Sequence, residues 1–378
     1  MPILDFQTSL LSKKQWLLSE LQSAGLQPGA APDSARSRQG GAGPTDHKAV
    51  TVLGTTIMVP VHTRGSSSSP FSTGPADRHG IAPLFHLGEQ IAVVSFPPDP
   101  AFYGLVTKDG VPYWKIARLH SRSVLATTLL QTCVRYGNSS TKCQFCAIGE
   151  SLKAGSTVRE KTPAQLAEVA AAAKELDGID NVVMTTGTPP TPDRGAAVLA
   201  AAARAIKDAT DLPIQAQCEP PDDFSWFQTL RDSGVDSLGM HLEAWDEEVR
   251  RQIMPGKAEV PRAFYMKAFD AAVEVFGRGQ VSTYLLAGLG DTADGLIDAA
   301  RQLVDRGVYP FIVPFVPVTG TPLAGHPPPD AAFMQAVLEP VGAMLTAAGM
   351  TSDTAKAGCT KCAACTSLSS FEKTTTCT

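Results

Sequence analysis

The chain reads as an α/β protein: a partial, TIM-like (β/α)6 barrel with a β-rich N-terminal extension and a cysteine-rich C-terminal tail. Three observations predict this. From Ser123 onward, short apolar runs alternate six times with helix-patterned segments, the rhythm of a parallel sheet with crossover helices. The first 120 or so residues have another texture, with Gly/Ser/Pro-rich stretches between strand-like runs. Seven of the eight cysteines fall into two groups, one just after the first barrel strand and one in the last twenty residues. With 378 residues, 43% hydrophobic and 18% charged, the chain can bury a large core and is neither a disordered protein nor a coiled coil. A net charge of −5 argues against nucleic acid as a partner. No apolar run reaches the roughly 18 residues that span a bilayer, and the start MPILDFQTSLLSKKQW has no signal-peptide layout. A cytoplasmic protein without a membrane partner is expected.

Residues 1–122 are expected to form a helix, a linker and a small β-rich region. Leu10 to Leu21 has helical spacing with Gly25 as its stop, and Gln27 to Thr45 reads as a flexible linker. Gly65 to Pro75 is a second Ser/Pro/Gly-rich stretch. Strands are expected over Val50 to Val61 and Gln90 to Phe96, with a hairpin on Asp109-Gly110 flanked by Phe102–Val106 and Tyr113–Ile116. No residue here carries an obvious chemistry.

Residues 123–325 are expected to form the barrel. Its strands are read over Val124–Thr132, Asn181–Thr186, Pro213–Cys218, Val235–Leu242, Val281–Ala287 and Phe311–Val316. Helices are read at Thr162–Leu176 (Thr as N-cap, Pro163 at the first helical position), Asp193–Lys207, Phe224–Asp232 and Thr292–Arg306. Asp246 to Phe276 is helical with a break at Pro255-Gly256. Residues 326–378 supply a last helix and the tail. On such barrels the residues just after each strand carry the chemistry.

In a reducing compartment, clustered cysteines point to metal or redox chemistry rather than disulfides. Cys133, Cys143 and Cys146 lie on one loop after the first strand, with nine residues in the first gap and two in the second. Three thiolates suit a [4Fe–4S] cluster whose fourth iron is left for a small molecule. The alternative is a structural zinc ion pairing Cys143-x-x-Cys146 with Cys359-x-x-Cys362. Cys359, Cys362 and Cys365 repeat a two-residue gap, as ferredoxins do, and suit three corners of a second [4Fe–4S] cluster, with Cys377 as a possible fourth ligand. A zinc knuckle or an unligated tail is the alternative there. Cys218, inside an apolar strand, reads as packing.

Cys143-Gln-Phe-Cys146 resembles the radical S-adenosylmethionine (SAM) superfamily, although the usual first gap there is three residues. Four further segments resemble biotin and lipoyl synthases: VVMTTGTPPTPDRG from Val182, His241-Leu-Glu243, Gly288-Leu-Gly290-Asp291-Thr292, and Gly320-Thr-Pro-Leu323. The whole also resembles an uncharacterised radical SAM family found beside nitrilase genes, which implies nitrogen or nitrile metabolism.

The resemblance implies that SAM chelates the open iron and is reductively cleaved to a 5′-deoxyadenosyl radical, which takes hydrogen from a small organic substrate. It implies a flavodoxin- or ferredoxin-type electron donor. Phe145 is expected near the adenine, Thr185, Thr186 and Gly187 near the methionyl amine, and Glu243 on the ribose hydroxyls. Gly288 and Gly290 are expected to let backbone approach the nucleoside, and Arg251 to pair with the SAM carboxylate. Glu219 and His241 are further candidates at strand ends. The rival readings are a sulfur-inserting synthase of the lipoyl/biotin type that uses the second cluster, and a non-catalytic zinc or iron–sulfur protein.

Overall fold

A computed structural model describes residues 10–29, 47–61, 63 and 65–372. Most of the linker and Cys377 lie outside the described residues.

Seven strands form the larger sheet, in the order β12-β11-β10-β9-β8-β7-β6. They are β6 (Arg118–His120), β7 (Val124–Thr128), β8 (Asn181–Thr185), β9 (Ile214–Gln217), β10 (Ser237–Gly239), β11 (Val281–Ala287) and β12 (Val308–Pro314). β7 to β12 pair in parallel and in sequence order, and β6 adds an antiparallel edge. β6 and β12 stay unpaired with each other, so the barrel is partial. β12 is buried along its whole length and β11 at all but one position, as expected where helices cover one face and a filled interior the other. The helix over Pro163–Asp177 begins with a capping box between Thr162 and Gln165, and its proline sits at the first helical position. Such a cap contributes about 1 kcal/mol.

The smaller sheet runs β2-β1-β5-β4-β3, with β1 (His47–Val52), β2 (Thr55–Pro60), β3 (Phe71–Thr73), β4 (Ile81–His86) and β5 (Glu89–Ser95). Two expectations are corrected here. The run Val50–Val61 is a hairpin rather than one strand, because Leu53-Gly54 turns with φ of 48° and 74°. The segments flanking Asp109-Gly110 are not strands: Ala101–Gly104 is a 3-10 turn and Tyr113–Ile116 a helical turn, leaving one bridge, Val106 to Pro112. Pro112 has no N–H with which to continue a ladder.

The tail closes the barrel at the N-terminal ends of its strands. Gly358 N–H donates to Asn181 Oδ1 at the start of β8 (3.0 Å), and Cys359 N–H to Gln215 Oε1 in β9 (2.9 Å). Lys356 N–H donates to Gln280 Oε1 just before β11 (2.9 Å), and Tyr309 in β12 bonds Glu372. A Cβ on Gly358, whose φ is +81°, would stand 2.2 Å from Gln215 Oε1. Only glycine allows that approach.

The N-terminal helix and sheet pack against the tail from the other side. Ala364 O accepts from Met58 N–H (2.7 Å) and from Gln22 Nε2 (3.0 Å). Ser19 and Ser367 bond through their hydroxyls (2.9 Å), and Gln15 Nε2 donates to Ser370 O (3.0 Å). The tail is thus held between the extension and the barrel.

Candidate active site

A cavity of about 290 Å³ lies inside the barrel. Cys133, Cys143 and Cys146 line it, as do Cys359 and Cys365. The loop after β7 belongs to the strands' C-terminal ends and the tail to their N-terminal ends, so the two cysteine groups face one space from opposite ends.

The long first gap of the cysteine loop is built in. Val134 N–H donates to Thr188 O (2.8 Å) and Gln144 N–H to Ile253 O (2.7 Å). Arg135 reaches out of the loop to Gly256 O (2.7 Å) and pairs with Glu219, which also accepts from Thr188 Oγ1 (2.8 Å). Gly256 N–H returns a bond to Thr141 O (3.1 Å), and Leu323 N–H of the Gly-Thr-Pro-Leu segment donates to Gln144 O (3.3 Å). The loop is therefore pinned by the segments after β8, β9, β10 and β12. A Cβ on Gly187 would fall 2.0 Å from Thr132 O, so the turn after β8 runs directly against the cysteine loop.

Phe145, Thr185, Thr186, Gly187, Glu219, His241 and Glu243 all line the cavity. Glu243 has φ of +68°, a conformation that costs a non-glycine residue 1 kcal/mol or more. It is held there by backbone bonds from Glu243 N–H to Tyr284 O (2.9 Å) and from Leu286 N–H to Glu243 O (2.7 Å). Its Oε1 accepts from Lys257 Nζ at 3.1 Å. Burial pushes the Lys257 pKa down, but Glu243, Tyr265, Glu219 and Cys143 together outweigh it, so the net shift is upward. His241 Nδ1 accepts from Tyr284 N–H (3.2 Å), so the proton of the neutral ring sits on Nε2. The ring stacks on Tyr284 with centroids 4.4 Å apart, and burial pushes its pKa down to about 4.

Three candidates stand elsewhere. Arg251 is 61% exposed and pairs with Glu248 one helical turn away, so it does not reach the cavity. The buried cation beside Cys143 is Lys257, which the Met254-Pro-Gly-Lys257 break in the helix turns inward. Gly288 and Gly290 do not line the cavity either: their missing Cβ atoms make room for Pro329 and Val249. The same segment acts at one remove, as Asp291 accepts from the backbone N–H groups of Trp245 (2.9 Å) and Asp246 (2.8 Å) and fixes the turn after Glu243.

The tail sulfurs meet polar side chains of the barrel wall. Cys359 Sγ accepts from Gln217 Nε2 (3.1 Å), and the Tyr284 hydroxyl lies near it. The Ser121 hydroxyl lies near Cys362, and Cys365 Sγ lies 3.3 Å from His120 Nε2. Arg135, Tyr284 and His120 escaped the sequence reading, whereas Gln217 and Lys257 lie in stretches, Gln217–Pro221 and Met254–Lys257, whose position after the strands suits substrate contacts. Arg135 sits within the cysteine motif and Gln217 alternates with Gln215 along β9, but nothing in the local sequence singles out His120.

The donor set fits iron–sulfur clusters. Burial pushes the Cys143 thiol up to about 12, Cys146 to about 11 and Cys362 to about 12, and a metal core supplies the positive charge such thiolates need. Among the described residues, no three His, Cys, Asp or Glu side chains close round one point as a single ion requires.

Residues 136–303 match the radical SAM superfamily, a span that holds Cys143 and Cys146 and begins just after Cys133. The chain is 32% identical over 133 residues to bacteriochlorophyllide c C-7(1)-hydroxylase of Chlorobaculum limnaeum, a match covering 35% of this chain and 33% of that relative. The fold is also similar to methylornithine synthase (TM-score 0.44, 18% identity, 58% of this chain and 62% of that one). A radical SAM methyltransferase from Sphaerobacter thermophilus aligns with a TM-score of 0.43 at 16% identity, covering 71% of this chain and 74% of that one. Six parallel strands in sequence order, three cysteines on the loop after the first of them, and the match over residues 136–303 lead to one conclusion: this chain carries a radical SAM domain.

Proposed function

We propose that Cys133, Cys143 and Cys146 hold a [4Fe–4S] cluster at the C-terminal end of the barrel cavity, and that the enzyme removes hydrogen from a small organic substrate bound within it. The observation that carries this reading is that these three cysteines line one cavity with Thr185, Thr186, Gly187, Glu243 and Lys257. When bound, the cluster and SAM together supply the hydrogen-abstracting radical. The chain's own residues orient and shield. Glu243 presents a carboxylate, its backbone already held in place, to the ribose hydroxyls. Lys257, rather than Arg251, offers the cation for the SAM carboxylate. Thr185 to Gly187 bring carbonyl and hydroxyl groups to the amine, and the apolar wall of Leu286, Val313 and Phe315 keeps water out.

The tail triad, on this reading, holds a second [4Fe–4S] cluster at the opposite end of the cavity. A flavodoxin- or ferredoxin-type protein supplies electrons in the cytoplasm, where thiols stay reduced. The resemblance to the family found beside nitrilase genes makes small nitrogen compounds, nitriles among them, the first substrates to test. The 32%-identical relative is a hydroxylase, an enzyme that acts on a carbon–hydrogen bond, which agrees with abstraction from carbon.

Deuterated candidate substrates test the proposal. Deuterium recovered in 5′-deoxyadenosine identifies the substrate and the carbon attacked. If every turnover-competent substrate leaves the nucleoside unlabelled, hydrogen abstraction is the wrong reaction. Because Cys359 and Cys365 line the same cavity, a second reading is sulfur insertion with the tail cluster as donor; a product heavier by one sulfur, formed once per chain, would favour it.

A further inference from the structure

Building on the reading of the tail as a second cluster site, we propose that His120 is a positioning residue for that cluster: it donates a hydrogen bond from Nε2 to the Cys365 sulfur and holds the cluster's reduction potential up. His120 ends β6, is buried, and lines the cavity. Its Nε2 lies 3.3 Å from Cys365 Sγ, the distance of a hydrogen bond to sulfur. A nitrogen bound to its own iron would stand off from that sulfur by about the width of the cluster.

The surroundings agree. Each tail sulfur has a polar neighbour from the barrel: Gln217 Nε2 bonds Cys359 with the Tyr284 hydroxyl nearby, the Ser121 hydroxyl is near Cys362, and His120 is at Cys365. A neutral buried thiol is a weak acceptor, so this shell suits sulfurs that carry negative charge. Hydrogen bonds to cluster sulfurs draw off that charge and stabilise the reduced, more negative form. His120 and Ser121 are neighbours in the β6–β7 turn and serve two different sulfurs, so this short turn acts as a bracket for the tail.

The test uses the full chain with Cys133, Cys143 and Cys146 all replaced by Ala, so that only the tail can hold iron. Iron and sulfide are counted first, and about four of each per chain are expected. The midpoint potential is then followed by EPR. His120→Leu should shift it to a more negative value at unchanged iron content, and His120→Gln, which keeps an N–H, should restore most of the shift. If His120→Leu loses iron while His120→Gln keeps iron and potential, the donor role likewise stands. An unchanged potential in His120→Leu at full iron content overturns the proposal. So does iron that is lost in both variants and regained with His120→Cys, since His120 would then be a ligand. No iron in the parent variant overturns the second cluster itself, and that result is read before any potential is measured.

Discussion

The two cysteine groups occupy opposite ends of one cavity and are built differently. The loop triad is spread over a long segment pinned through backbone bonds by three other barrel segments and through Arg135 by a fourth, with the Glu243–Lys257 ion pair beside it. The tail triad is compact, with Cys359 and Cys362 on a short helical turn at Gly358–Cys362 and Cys365 three residues beyond, and has neutral polar groups beside it. All three loop cysteines are partly exposed, as is Cys362 in the tail, whereas Cys359 and Cys365 are buried. On the proposed reading, the end that admits SAM keeps open surface and fixed charge, and the end that holds the second cluster encloses two of its three sulfurs.

The largest effect that could break this comparison is loss of metal. Replacing either triad with Ala should remove about half of a total of about eight irons and leave the other half. Loss of all iron on removing one triad would mean that the two groups share a single site. The next effect concerns SAM. Lys257→Met should weaken SAM binding by about tenfold or more, through loss of a buried charge–charge contact. Arg251→Ala should change it by less than about twofold, since a solvated pair contributes little; isothermal titration separates the two. Equal losses would put Arg251 back into the site.

Most of the barrel was legible because its signals are local: apolar strands, the Thr162-Pro163 cap, and the cysteine spacing. Val281–Ala287 was read to the residue. What escaped depends on contacts distant in sequence. Lys257 and Arg251 are both cations after β10, and only the helix break at Met254-Pro255 decides which of them points inward. Gly288 and Gly290 have the glycine pattern of a nucleoside loop, yet serve packing against Pro329 and Val249. His120 reaches Cys365 across 245 residues of chain, and no periodicity reports such a pair. The N-terminal extension carries no chemistry in its sequence, but its bonds to Ala364 make it the outer support of the tail.

Smaller effects sharpen that support. Gly358→Ala forces a methyl group into the Gln215 amide at positive φ. A loss of about 1–3 kcal/mol is expected, with tail iron more easily chelated while loop iron is untouched. Gln22→Leu removes one buried bond to Ala364 O and should cost about 1 kcal/mol. Both are read from thermal unfolding of the reconstituted protein alongside the rate of iron loss to a chelator.

The division of labour between the two ends is tested most directly by one comparison. Wild type, the loop variant (Cys133, Cys143 and Cys146 to Ala) and the tail variant (Cys359, Cys362 and Cys365 to Ala) are reconstituted anaerobically and given SAM and dithionite. 5′-Deoxyadenosine should form in wild type and in the tail variant and be absent from the loop variant. Its formation by the loop variant, or its absence from all three at full iron content, would contradict the assignment of SAM cleavage to Cys133, Cys143 and Cys146.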